Sequence, residues 1–235
     1  MNVVMYKKDG WPNIQFYVSE TKFDRSMSQL ARGAEGTRTI TFPSTVREVE
    51  YDAFEDNWSL RSAVLNEGLE ILEGYRDENG YYIGVFSNSG LQRVTLPSTL
   101  KVMTSGIFNR CGRLKRVLLA EGSKLEQIGP DCFSGTAIDE FLAPQSLREI
   151  GDGAFSCCSS LERVVLNEGL ERLGELRSEN CNDHCGVFSN TLVKSVTLPS
   201  TLRGLGDRTF YGCDKLKCAT FAADSRLKTI GDSCF

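Results

Sequence analysis

The chain reads as an α/β repeat solenoid, rich in β-strand, of about eight turns. Three observations predict this. Eight phenylalanines (Phe54, Phe86, Phe108, Phe133, Phe155, Phe188, Phe210 and Phe235) recur at intervals of 32, 22, 25, 22, 33, 22 and 25 residues. Periods of that size are the mark of stacked repeats, each too small to bury a core alone. Two phrases alternate between the phenylalanines. One is a strand phrase, L-x-x-V-x-L, as in Leu91-Gln92-Arg93-Val94-Thr95-Leu96; the other is L-x-x-I-G-x-x-A-F, as in Leu147 to Phe155. Finally, a four-repeat block is duplicated. Phe54, Phe86, Phe108 and Phe133 return 101, 102, 102 and 102 residues later, and Val-Thr-Leu-Pro-Ser-Thr-Leu occurs at both 94–100 and 196–202.

Residues 1–36 lack the repeat and are expected to cap the array, since the end of a solenoid exposes an unpaired coil. Val3–Tyr6 and Ile14–Val18 are β-prone runs around Lys8-Asp9-Gly10-Trp11-Pro12, which predicts a hairpin. Thr21 is then expected to cap a short helix carrying Phe23, Met27 and Leu30 on one face. Residues 37–235 form the repeat domain, with blocks at 54–133 and 155–235. Within each strand phrase a period of two sends Val94 and Leu96 inward and Arg93 and Thr95 outward. Proline after the strand, as at Pro97, ends it because the ring has no ladder donor.

Three residues after each of the first seven phenylalanines stand Asn57, Ser89, Cys111, Thr136, Cys158, Thr191 and Cys213, all small and able to hydrogen-bond. A turn whose backbone must be satisfied as coils stack needs such residues. Cys111, Cys158 and Cys213 fall in alternate repeats, about 10 Å apart at ordinary strand spacing, too far for a disulfide among themselves. They read as buried thiols. The sequon at Asn57-Trp58-Ser59 belongs to the same column and reads as structural. Two intervals are enlarged at equivalent places, predicting longer loops at 74–84 and 174–186.

Bulk properties exclude more than they select. A net charge of -4 gives no global attraction to nucleic acid, and no interleaved aromatic platform supports one. The apolar runs are too short to cross a bilayer. Met1 to Lys8 contains no apolar core of a secretion signal, which predicts a cytoplasmic location for the chain as it stands. A last repeat stopping at Phe235 predicts a further coil, and hence a longer protein.

The repeat phrases, with L-P-x-x-L following the strand and cysteine three residues after phenylalanine, resemble the BspA-like leucine-rich repeats over residues 37–235. The resemblance implies a right-handed superhelix with a parallel sheet on its concave face. It also implies binding of protein partners, in the manner of extracellular adhesins and surface antigens, and so a cell-surface or secreted location if the chain is part of a family-typical protein.

Catalytic chemistry is not expected. His184 is the sole histidine, and neither a Walker sequence nor a Rossmann fingerprint occurs, so no cofactor is predicted. One loop, Cys181-Asn182-Asp183-His184-Cys185, offers Cys181, His184 and Cys185 as weak metal ligands, from which a metal-dependent enzyme is a remote alternative. The outward strand positions are more informative. Arg38, Arg61, Arg93, Lys115, Arg116, Arg163, Lys194 and Lys217 stand against Asp139, Glu140 and Glu162, with Thr95, Leu118 and Val165 in the next outward row. This predicts a surface for an acidic protein or peptide, centred on Arg61, Arg93, Thr95, Arg116, Leu118, Arg163 and Val165. Tyr81 and Tyr82 in the first enlarged loop form a second candidate surface. The alternative is a spacer array whose charges only solvate an exposed sheet.

Overall fold

The computed structural model describes residues 38–175 and 186–235 in full and, before them, the backbone of residues 4–7, 14–17 and 22–23. The N-terminal strands are β1 (Val4–Lys7), β2 (Ile14–Tyr17) and β3 (Lys22–Phe23). The first four coils contain β4 (Thr39–Thr41), β5 (Glu48–Val49), β6 (Ser62–Val64), β7 (Ile71–Leu72), β8 (Gly74–Arg76), β9 (Tyr82–Gly84), β10 (Arg93–Leu96), β11 (Val102–Met103), β12 (Arg116–Leu119) and β13 (Gln127–Ile128). The last four contain β14 (Glu140–Leu142), β15 (Glu149–Ile150), β16 (Arg163–Val165), β17 (Arg172–Leu173), β18 (Ser195–Leu198), β19 (Gly204–Leu205), β20 (Cys218–Phe221) and β21 (Thr229–Ile230).

Each coil runs from a first strand through a turn to a two-residue second strand, then round a corner that ends on phenylalanine. First strands stack in parallel on first strands, as in β4–β6–β10–β12, and second strands form an unbroken parallel ladder from β7 to β21. The pairing is in repeat register: Arg93 opposes Arg116, and Thr95 opposes Leu118. The described residues form no helix, so the array is a β-solenoid and the α component expected from sequence is absent from them. The physical reason is spacing. A coil of 22 residues holds two strands and three turns, leaving no uninterrupted stretch long enough for a stable helix.

The N-terminal segment departs from expectation in one respect. β1 and β2 pair antiparallel. Lys22 and Phe23, expected in a helix, instead form β3 and pair in parallel with Glu48 and Val49 of β5. The other positions of that expected helix lie outside the described residues.

The core is the phenylalanine column. Phe54 through Phe210 are buried, and consecutive rings from Phe54 to Phe235 lie 5.2–5.6 Å apart with interplanar angles of 6–18°. The separation exceeds the strand spacing of about 4.8 Å because slightly tilted, offset rings keep their faces from lying in eclipse. The backbone fixes it. Phe108 N–H donates to the Cys132 carbonyl at 2.7 Å and Phe133 N–H to the Ala154 carbonyl at 2.7 Å, so a ladder runs beneath the rings.

Two residues after each ring the chain takes a left-handed turn: φ is +57° at Asp56, +54° at Asn88, +59° at Arg110, +56° at Cys157 and +56° at Asn190, with glycine at 135 and 212. Asp, Asn and Gly suit that region; Arg110 and Cys157 do not, and are held there by the corner ladder. The next residue in each corner is buried. Cys111 donates to the Phe86 carbonyl at 2.9 Å, Cys158 to the Phe133 carbonyl at 3.1 Å and Cys213 to the Phe188 carbonyl at 3.1 Å. The expected thiol column is therefore a set of hydrogen bonds between coils, and the seven described cysteines are free. Asn57 is buried too, its side-chain oxygen accepting from Leu60 N–H at 3.2 Å, which removes the asparagine of the sequon from solvent.

The duplication is visible in detail. Glu67 accepts from Ser98 N–H at 2.9 Å and Glu168 from Ser200 N–H at 3.0 Å; Gly68 N–H donates to Thr99 and Gly169 N–H to Thr201. The first enlarged loop is a hairpin, β8 antiparallel to β9, closed by Asp77 accepting from Asn79 and Tyr81 N–H groups.

Candidate functional face of the first sheet

The first strands present their odd positions to solvent, and the structure sorts the expected binding residues by what each one touches. Arg93, Lys115 and Arg116 are exposed on β10 and at the start of β12, with Arg93 directly opposite Arg116. Among the described residues none of the three meets a carboxylate within ion-pair distance. Thr95 and Leu118 continue the same two strands as register partners, and Leu118 is 46% exposed. Farther along, Leu142 and Val165 are partners on β14 and β16 and are also exposed.

Other expected residues have different occupations. Arg61 is folded back: its guanidinium donates to the carbonyls of Trp58, of Leu60 at 3.2 Å and of Gly90 at 3.1 Å, clamping a turn to the following coil. Burial, then the charges of Arg113 and Arg38, push the Arg61 pKa down. Arg163 bonds Glu140 across the strands at 3.0 Å, and Lys194 bonds Glu162 in the same way. The basic strip expected to run the length of the sheet is thus self-neutralised over β14, β16 and β18. Arg93, Lys115 and Arg116 are its one uncompensated cluster, with Arg38 and Lys217 standing apart towards the two ends. Exposed pairs of this kind contribute little to stability, so their main effect is to remove net charge from β14 to β18.

Tyr81 and Tyr82 do not join this surface. Their hairpin packs against the corner of the third coil, where Asn109 donates to the Tyr82 carbonyl at 3.0 Å. Arg110 lies 5.1 Å from the Tyr81 ring centroid and Arg76 lies 5.5 Å from that of Tyr82, cation–π contacts that hold both rings. Tyr75 meets Tyr51 edge-on at 4.6 Å. Cys181, His184 and Cys185 lie outside the described residues. Among the described residues, no three His, Cys, Asp or Glu side chains are grouped to hold a metal ion, and no helix is long and apolar enough to cross a membrane.

One feature of the face was missed in sequence. The first sheet is interrupted twice, between β12 and β14 and between β16 and β18. At the first interruption Ala137 N–H reaches the Leu114 carbonyl at 3.0 Å, and no backbone hydrogen bond joins β12 to β14 beyond it. Below the seam lies a cavity of about 370 Å³, lined by residues including Val117, Leu118, Leu119, Phe141, Leu142 and Phe133. The cavity traces to two residues. Where other coils place Val94 and Leu96, or Val164 and Leu166, this one has Phe141 and Ala143. The Phe141 ring cannot fit a valine site and instead tilts against Phe155 at 4.5 Å, while Ala143 is too short to fill a leucine site. One side chain leaves its line and the other is too short, and together they leave the space empty. β16 and β18 part with Val164, Leu166, Val196 and Leu198 in place, and it is the cavity that sets the β12–β14 seam apart.

The repeat geometry agrees with a family model. The BspA type leucine-rich repeat region matches residues 28–76, 82–184 and 184–235 in six copies. The chain belongs to this family. Two solved structures share its fold. A leucine-rich repeat protein from Bacteroides ovatus is 21% identical, with a TM-score of 0.57 over 99% of this chain and 70% of its own. The leucine-rich repeat protein of T. pallidum is 19% identical, with a TM-score of 0.52 over 97% of this chain and 83% of its own. No curated protein sequence matches the chain.

Proposed function

We propose that this leucine-rich-repeat chain is a protein-binding module that takes an acidic partner on the first sheet, over β10 and β12. The observation that carries the reading is the juxtaposition of Arg93, Lys115 and Arg116, without carboxylate partners among the described residues, with exposed Leu118 on neighbouring strands. Strands locked into a ladder hold such groups with little freedom left to lose on binding, which favours recognition over mere solvation. Like charges directly opposed across a ladder, as at Arg93 and Arg116, destabilise the sheet and are relieved by an anionic ligand. Attachment of the adhesin type is a special case of this reading and is supported by the family resemblance alone.

A spacer reading is favoured only for the later coils, where Glu140–Arg163 and Glu162–Lys194 satisfy one another. The test is capture from native extract with immobilised protein. Arg93→Glu with Arg116→Glu is expected to abolish capture of at least one species while leaving the melting temperature unchanged or slightly raised. An unchanged set of captured species would refute the reading.

A further inference from the structure

We propose that the seam between β12 and β14 is a peptide-binding cleft, taking an extended segment of a partner in which apolar residues alternate with acidic ones. The inference rests on the protein-binding reading above and adds the site and the ligand. Three observations place it. The strand edges facing each other across the seam make no backbone hydrogen bond to one another, whereas the second strands of the same coils stay paired, Gln127 with Glu149 and Ile128 with Ile150; β16 and β18 part in the same way, and the cavity described next distinguishes the two seams. The coils therefore part on one side only, as a wedge. An open strand edge is a template for an added strand.

The second observation is the cavity under that edge. Its volume of about 370 Å³ lies within the range of ligand pockets, and Glu140 is its sole charged lining residue. An added strand sends every other side chain to one face, so an apolar residue can enter the space while its neighbours point outward. The third is charge. Arg116 is on β12 itself and Arg93 opposes it, so the outward neighbours of that apolar residue meet guanidinium groups. Glu140 is already neutralised by Arg163 and does not repel them. A small apolar molecule would fill the cavity yet leave the strand edge and the arginines unused, which is why the peptide is the occupant chosen.

The sequence also supplies the control. Phe141→Val with Ala143→Leu restores the pattern of neighbouring coils and is expected to fill the cavity beneath the seam. Random octapeptides displayed on phage are panned against the immobilised full chain, and enriched peptides are labelled and titrated by fluorescence anisotropy. Enriched sequences are expected to alternate apolar and acidic residues, and to bind the Phe141→Val/Ala143→Leu protein at least about tenfold more weakly. The exposed substitution Leu142→Glu, which does not alter the core, is expected to weaken them similarly. Absence of enrichment, or peptides that bind the restored protein as well as the original, would overturn the cleft. The two readings fail separately: partner capture that depends on Arg93 and Arg116, with peptides indifferent to filling of the cavity, removes the cleft and leaves the binding face.

Discussion

Phe108→Ala is the most informative single perturbation of the scaffold. The Phe108 ring is fully buried between Phe86, at 5.5 Å, and Phe133, at 5.2 Å. Removing it deletes a buried aromatic side chain and leaves a void that cannot collapse, because the corner ladder holds the coils on either side at fixed spacing. Phe→Ala at such a site costs about 3–5 kcal/mol, including the loss of two stacked contacts of roughly 0.5–1.5 kcal/mol each. The assay is urea unfolding followed by circular dichroism, with hydrogen exchange on the flanking coils to detect unfolding confined to one side of the lesion, as linear arrays permit. Phe235→Ala is the internal reference: that ring is 56% exposed and its loss is expected to cost below about 1 kcal/mol. Equal effects at the two positions, or a loss under about 1 kcal/mol at Phe108, would refute a column stabilised by burial.

Further expectations follow from the same geometry. Burial, with a further push from Asp152, raises the Asp131 pKa to about 6, above its ordinary 3.8. A folded-state value above the unfolded one favours the protonated carboxyl, so its stabilising contribution is full below about pH 4 and lost as pH rises through about 6. Asp131→Asn, which keeps a residue tolerant of the +53° φ at this position, is therefore expected to stabilise the protein at pH 7 by about 1–3 kcal/mol and to make no difference near pH 4. Thermal melts at the two pH values check this; an effect of equal size at both would contradict it. Burial also pushes the Cys111 and Cys158 thiols up to about 11 and Cys132 to about 12. In the folded protein, alkylation mapped by mass spectrometry is expected to modify exposed Cys157 and Cys218 more than about tenfold faster than these three, a difference that disappears on denaturation.

How much of this was legible in sequence follows from what the repeat period does and does not fix. The period places Phe54 to Phe235 in one column and Cys111, Cys158 and Cys213 in another, and stacking then dictates their burial. It does not specify the left-handed corner, because Asp56, Arg110, Cys157 and Gly212 share a conformation without sharing chemistry. Nor does it reveal ion pairs such as Glu162–Lys194, whose partners are 32 residues apart and meet only once the register of enlarged coils is known. The charged face is therefore interrupted by the ion pairs of Arg163 and Lys194, which the period does not show. Arg61 was misjudged because an arginine at an outward position can still turn back to cap a carbonyl. The cavity was within reach: Phe141 and Ala143 both break the strand phrase, and a repeat array makes such departures conspicuous.

The central claim is that recognition resides in the basic cluster of β10 and β12, and paired charge reversals test it most directly. A captured partner is titrated by calorimetry against the unaltered chain, against Arg93→Glu/Arg116→Glu and against Lys194→Glu/Lys217→Glu. The account predicts at least about a hundredfold loss for the first pair, the weight of two charge-assisted contacts, and less than about threefold for the second. Equal losses from the two pairs would mean that the partner senses only overall charge. A larger loss from the second pair would place the site on the later coils and contradict the assignment.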